Sequence, residues 1–121
     1  VDYKTGGYSI DWKEVGDMFD PPADKRGYTA FQMMFYLYLL DMKGLVKDVD
    51  KAVMAVCSLK DLFGTSKGLP SFGITRADYD LFVERLYDLV ENSILNKEIP
   101  FEAKGEGKTC EYCPYSVVCN K

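Results

Sequence analysis

Val1-Asp2-Tyr3-Lys4-Thr5-Gly6-Gly7 decides how the rest of the chain is read. Residues 1–4 read as a short strand, and Thr5-Gly6-Gly7 is a strong turn signal that ends it. Side chains alternate along a strand, so Asp2 and Lys4 share one face and Tyr3 takes the other. A carboxylate and an ammonium then project side by side. Such a pair suits metal-assisted phosphodiester hydrolysis. The carboxylate can hold a divalent ion that polarises a phosphate and lowers the pKa of a bound water. The lysine can orient that water or stabilise charge developing in the transition state. Mg2+ keeps several waters, so few protein carboxylates are needed. D-x-K is nonetheless a common pattern. Standing alone, it is better read as a solvent-facing ion pair at a strand end.

Outward from this strand, residues 8–27 read as a polar connection with one short helix around Asp11 to Phe19. Pro21-Pro22 stops that helix, because the ring cannot continue it and restricts the preceding residue. Tyr28 to Met42 reads as a helix of about four turns, and Gly44 ends it. Its apolar residues sit on nearly every face, which predicts packing on two sides. Gln32 and Tyr36 lie four apart, hence on one face of it. An amide in an apolar run needs a partner if it is buried. That partner is either a backbone group of the neighbouring strand or a phosphate in a cleft, and taken alone a structural bond in the core is the simpler reading.

Lys51 to Leu59 reads as a buried strand, since Ala52 to Cys57 is uninterrupted apolar sequence. A Gly- and Ser-rich loop is predicted from Gly64 to Gly73. The clearest helix starts at Thr75, where Thr75 and Asp78 resemble a capping box. Tyr79, Phe82, Val83, Leu86, Leu89, Val90 and Ile94 recur at helical spacing along one face, and Pro100 closes the element. Residues 101–121 read as a loop-like tail. The predicted organisation is a single domain over 1–121, an α/β core at 1–100 followed by that tail.

Composition narrows the class. Of 121 residues, 47% are hydrophobic and 28% charged, an ordinary soluble globular balance. The formal net charge is −4, so the surface as a whole does not attract DNA. Any nucleic-acid contact must come from a local basic surface, which argues against a stand-alone DNA-binding module. The longest nearly apolar run, Ala30 to Leu40, falls well short of the roughly 20 residues needed to span a bilayer. No signal segment is visible. These points predict a soluble cytoplasmic protein without a membrane partner.

Three of the four cysteines fall in the tail as Cys110-Glu111-Tyr112-Cys113 and Cys119, a C-x2-C-x5-C pattern. Thiols so closely spaced in a cytosolic protein point to a metal. Zinc and iron–sulfur clusters both normally take four ligands, and only three lie together. Cys57 sits in the predicted buried strand and reads as a small hydrophobe. A disulfide from Cys110 to Cys113 or Cys119 is the other reading.

Taken in order, these features resemble the RecB-like class of the PD-(D/E)XK nuclease superfamily. Val1-Asp2-Tyr3-Lys4-Thr5-Gly6 resembles its (D/E)-x-K strand. Gln32-Met33-Met34-Phe35-Tyr36 resembles its Q-x3-Y helix. Cys110, Cys113 and Cys119 resemble the C-terminal triplet of members carrying an iron–sulfur cluster, such as the AddB subunit of bacterial helicase–nucleases. The resemblance covers the whole chain.

It implies the C-terminal part of a restriction-endonuclease-like core, a small sheet flanked by helices with a cysteine-bearing tail. It implies a Mg2+- or Mn2+-dependent deoxyribonuclease acting in DNA repair or recombination. Asp2 would ligate the metal, with the Tyr3 carbonyl adding a second oxygen. Lys4 would be catalytic, Gln32 and Tyr36 would shape the site and touch DNA, and the three cysteines would be ligands of a [4Fe–4S] cluster. DNA and a fused or associated helicase are the expected partners.

The class also has a further acidic metal ligand on a preceding strand, and a distant first cysteine. Neither is present, so the chain is expected to be a fragment, inactive alone, with an incomplete cluster. Loss of a neighbour for the first strand and of cover for the central helix predicts a dimer or a partly rearranged fold. Two other readings compete. One is a non-catalytic DNA-binding module with a structural metal or iron–sulfur site. The other is an unrelated zinc-binding interaction domain.

Overall fold

In a computed structural model of the chain, the described residues are 1–5, 8, 10–20, 28–59, 69–100, 113–115 and 117–118. They fall into two compact units, Val1–Asp88 and Leu89–Lys121. Among them no helix is long and apolar enough to cross a membrane.

The first unit is built on a three-stranded mixed sheet in the order β1-β2-β3. Strand β1 (Asp2–Lys4) pairs parallel with the central strand β2 (Val53–Ser58), with Asp2 opposite Val56, Tyr3 opposite Cys57 and Lys4 opposite Ser58. Strand β3 (Ser71–Gly73) pairs antiparallel on the other side of β2, with Met54 opposite Phe72. The apolar run of β2 is buried from Met54 to Ser58, as expected of a strand covered on both faces. Its predicted bounds shift at the start, because Val49–Lys51 winds into a 3-10 turn whose N-cap, Asp48, accepts a hydrogen bond from Asp50 N.

Strand β3 corrects the predicted Gly/Ser loop, which was read as running through to Gly73. Ser71 and Gly73 have little strand preference of their own. Pairing with β2 imposes the extended form, and Phe72, the one large residue, turns onto the core.

A short helix α1 (Gly16–Phe19) precedes α2 (Tyr28–Met42). The predicted helix around Asp11 to Phe19 contracts to this single turn. Asp17 Oδ2 accepts from Lys13 N and Glu14 N at its start, so the residues before it form the turn rather than the helix.

Helix α2 has the predicted bounds. It ends in a Schellman motif: Gly44 N donates to Asp41 O at 2.8 Å and Leu45 N to Leu40 O at 3.0 Å. Gly44 takes φ +67°, the left-handed conformation that such an end requires.

The expectation that α2 packs on two sides is corrected. Thr29, Ala30, Met33, Met34 and Leu37 are buried, while Tyr28, Tyr36, Leu39, Leu40 and Met42 are exposed. A helix can bury only the stripe that faces a partner, and among the described residues those partners lie on one side.

Helix α3 (Arg76–Asp88) opens with the predicted capping box. Asp78 N donates to Thr75 Oγ1, and Thr75 N donates to Asp78 Oδ2. Asp50 Oδ1 accepts from Arg76 N, tying the start of α3 to the turn before β2. Tyr79, Phe82 and Leu86 form its buried face.

Phe82 meets Phe19 and Phe31 at ring-centroid distances of 5.3 and 5.5 Å. Phe82, Met34, Val15, Val49 and Val56 are fully buried at the centre of the core. Each apolar side chain of this size contributes about 1.5–3 kcal/mol by leaving water. Tyr79 donates its hydroxyl to Asp41 Oδ2 at 2.7 Å, joining α3 to α2. Burial, and then that hydrogen bond, push its pKa well above the usual tyrosine value.

The predicted long helix does not continue as an α-helix to Ile94. In the second unit, Leu89–Ile94 forms a π-helix in which none of the residues is buried, and Ile94 is exposed. Leu95 N donates to Val90 O, the wider ring of that helix. Each residue turns through less than 100° there, so the apolar stripe that continues on paper drifts off its face.

Candidate active site

Alternation along β1 sends Asp2 and Lys4 to the face of the sheet that also carries Met54 and Val56, the face on which the core is built. Tyr3 takes the opposite face and is exposed. The two charged side chains are therefore drawn against α2 instead of into solvent. Lys4 Nζ lies 2.9 Å from Asp2 Oδ2, and the two side chains keep only 25% and 15% of their exposure.

Helix α2 presents the partner. Burial of Ala30, Met33, Met34 and Leu37 fixes its rotation about its own axis and leaves Gln32 and Tyr36 one turn apart beside β1. Lys4 Nζ donates to Gln32 Oε1 at 2.6 Å. Gln32 Nε2 donates to Tyr36 OH at 2.5 Å. The four candidates Asp2, Lys4, Gln32 and Tyr36 thus form one continuous polar chain leading from the sheet to the surface of α2. The reading of Gln32 as bonded to a strand backbone group gives way to a bond with the Lys4 side chain.

One oxygen in this chain stands out. Asp2 Oδ2 is buried and, among the described residues, has only the ion-pair contact with Lys4 and no aligned hydrogen bond. A buried carboxylate oxygen normally has such a partner. Its position fits a ligand atom for a hard divalent cation, which takes oxygen donors. The Tyr3 carbonyl is compatible with the same role. Lys4 O accepts from Leu59 N on the β2 side, and carbonyls alternate along a strand, so the Tyr3 carbonyl turns to the outer edge of the sheet. Among the described residues no group of three or more His, Cys, Asp or Glu side chains gathers as a metal site.

Ser58 went unremarked in the sequence. It ends the apolar run of β2, stands opposite Lys4 in register and is buried. A polar residue closing a buried strand was the available signal.

A family model described as the PD-(D/E)XK nuclease superfamily matches residues 1–120. The chain belongs to the PD-(D/E)XK nuclease superfamily. No curated protein and no solved structure matches it. The three-stranded mixed sheet with its helices is consistent with the restriction-endonuclease-like α/β fold of this superfamily. Membership brings nuclease chemistry, the metal-dependent cleavage of nucleic-acid phosphodiesters, for which PD-(D/E)XK enzymes typically use Mg2+ or Mn2+. Asp2-Tyr3-Lys4, at the base of the polar chain, has the (D/E)-x-K spacing that gives the superfamily its name.

Two of the four cysteines can be described. Cys110 and Cys119 lie outside the described residues, and Cys113 is half-buried just before a turn at Pro114-Tyr115. Cys57 is buried in β2, as expected, at 5% exposure.

Proposed function

We propose that the protein is a Mg2+-dependent deoxyribonuclease of the RecB-like class, with Asp2, Lys4, Gln32 and Tyr36 as its catalytic centre. The observation that carries this is the Lys4 ammonium, held at 2.9 Å from a buried carboxylate oxygen and at 2.6 Å from a glutamine oxygen. Lysine is a flexible point charge. The hydrogen bond to Gln32 orients it, and the ion pair with Asp2 holds it in place.

Asp2 Oδ2 and the Tyr3 carbonyl are the atoms that would hold the divalent ion. When bound, it supplies Lewis-acid polarisation of the phosphate and a water acidic enough to attack near neutral pH. Lys4 then has two tasks open to it: to donate to the attacking water and so fix its direction, or to donate to the phosphate oxygen on which charge builds up. Gln32 holds Lys4 for either task. Gln32 and Tyr36 line the side along which a DNA strand runs.

The order of the three motifs supports the RecB-like assignment. It also supports a role in repair or recombination in the cytoplasm beside a fused or associated helicase. Cys110, Cys113 and Cys119 would then be three ligands of a [4Fe–4S] cluster in the complete protein, with the fourth from outside this chain. Iron and acid-labile sulfide in equal, near-stoichiometric amounts would support the cluster, and zinc in their place would refute it. The exposed apolar face of α2 supports self-association at high concentration. Sedimentation of a monomer throughout would count against it.

The central test is cleavage of a labelled DNA by the full-length protein with and without Mg2+. Lys4→Ala and Asp2→Asn should each lower the rate by on the order of 10²-fold or more. Wild-type cleavage that Lys4→Ala leaves intact would sink this assignment.

A further inference from the structure

The Lys4 ammonium makes two contacts of different kinds. It donates an aligned hydrogen bond to Gln32 Oε1 at 2.6 Å. Its contact with Asp2 Oδ2 at 2.9 Å is an ion pair alone, since that oxygen has no hydrogen-bond partner among the described residues. The lysine is thus bonded to α2 and only charge-paired with its own strand. Alignment is what gives a hydrogen bond its strength and direction. Lys4 can therefore leave Asp2 and keep Gln32, whereas leaving Gln32 loses the aligned bond.

Asp2 Oδ2 is also the atom read above as a ligand for a divalent ion. It is buried, with the ammonium against it. A carboxylate withdrawn from water needs a compensating charge, and Lys4 supplies one. A second cation at the same oxygen would be repelled by the first. We propose that Lys4 is a place-holder on Asp2: it acts as an internal counter-ion that yields the carboxylate oxygen to a hard divalent cation, while Gln32 keeps the displaced ammonium beside the site. This rests on the nuclease reading above and gives that centre an order of events. While Lys4 faces Asp2, its charge is neutralised by the carboxylate. Once displaced, the same charge is available to a phosphate oxygen. Lys4 is therefore armed only when the ion is in place. Gln32 is a positioning residue, since it acts through Lys4.

Two substitutions should act in opposite directions. Lys4→Met keeps most of the stem and removes the charge, so an incoming ion has nothing to displace. Gln32→Met removes the second acceptor, so Lys4 has no other bond to keep when it leaves Asp2.

The measurement is Mn2+ binding to the full-length protein without nucleic acid, followed by loss of the free-ion electron paramagnetic resonance signal. Lys4→Met should bind Mn2+ about tenfold more tightly than wild type. Gln32→Met should bind it about threefold less tightly. The double variant should match Lys4→Met, because no ammonium is left for Gln32 to hold. Thermal unfolding gives a second readout. Without added metal, Lys4→Met should melt below wild type, because its buried carboxylate is uncompensated. Mn2+ should then raise its midpoint by more than it raises the wild-type one. Mn2+ binding in Lys4→Met that is no tighter than in wild type would overturn the place-holder. A Gln32→Met loss that persists in the double variant would overturn the role of Gln32. Asp2→Asn that binds Mn2+ as wild type does would overturn the reading of Asp2 as a metal ligand, and the proposal with it.

Discussion

Helices α2 and α3 lie in one unit and share a core, but they are built on opposite plans. Helix α3 separates its faces: Tyr79, Phe82 and Leu86 go inward, and charged residues such as Asp80 and Glu84 go outward. Helix α2 is apolar nearly all round, yet it buries only one side. The polar pair on α2, Gln32 and Tyr36, is joined to the Asp2–Lys4 pair through Lys4 Nζ. On α3 the polar residues serve the helix itself, through the Thr75–Asp78 cap and the Arg76–Asp80 ion pair at 3.1 Å. The difference teaches where to look for chemistry. A polar residue that follows the helical period of a solvated face needs no further explanation, whereas one set in an apolar helix does.

Substitutions can break or sharpen this contrast. The largest effect is expected at Phe82, fully buried between the two helices and in contact with Phe19 and Phe31. Phe82→Ala should cost about 3–5 kcal/mol in a denaturant titration. If the loss is under 1 kcal/mol, α3 does not anchor the core.

Gly44→Ala comes next. Nothing lies within 4 Å of the added Cβ, so the cost is the left-handed backbone alone, about 1–2 kcal/mol. Thr75→Ala should cost about 1 kcal/mol by removing the cap of α3. Leu39→Gln and Leu40→Gln, on the exposed face of α2, should stay within about 0.5 kcal/mol of wild type. A large loss at either leucine would show that this face is covered after all.

A pH test addresses the link between the helices. The pKa of Tyr79 is raised in the folded state by burial and by its bond to Asp41. A raised value favours the neutral phenol, so its stabilising share is fully present below the unfolded value of about 10. It is lost as pH climbs from there through the folded value. Thermal stability should therefore fall above about pH 10, and Tyr79→Phe should flatten that fall. An equal fall in both proteins would assign alkaline unfolding to other groups.

Much of this was legible in the sequence, for identifiable reasons. The end of α2 was marked by a breaker, Gly44. The cap of α3 is a local bond between residues three apart, and local bonds are written in local sequence. The period-two and period-four spacings also placed Asp2 with Lys4 and Gln32 with Tyr36. What joins the two pairs is the bond between Lys4 and Gln32, and that depends on how α2 rotates as its methionines sink into the core. No short stretch of sequence records that rotation. Strand β3 was missed because Ser71 and Gly73 are extended only by virtue of β2. The change of winding at Leu89 was missed because a helical period is read by assuming that it stays constant.

The parallel pairing of β1 with β2 carries a consequence in time. Asp2 and Lys4 meet their strand partners only after α2 and the turn at Val49–Lys51 have been laid down between them. Contacts so distant in sequence are slow to form, because a long loop must close before they give any return. A three-residue outer strand is also among the first elements to open in local fluctuations. Catalytic competence should therefore lag the ordering of the helices during refolding and vanish ahead of it on mild denaturation. That makes cleavage, when it is measured, a clock for the docking of one short strand.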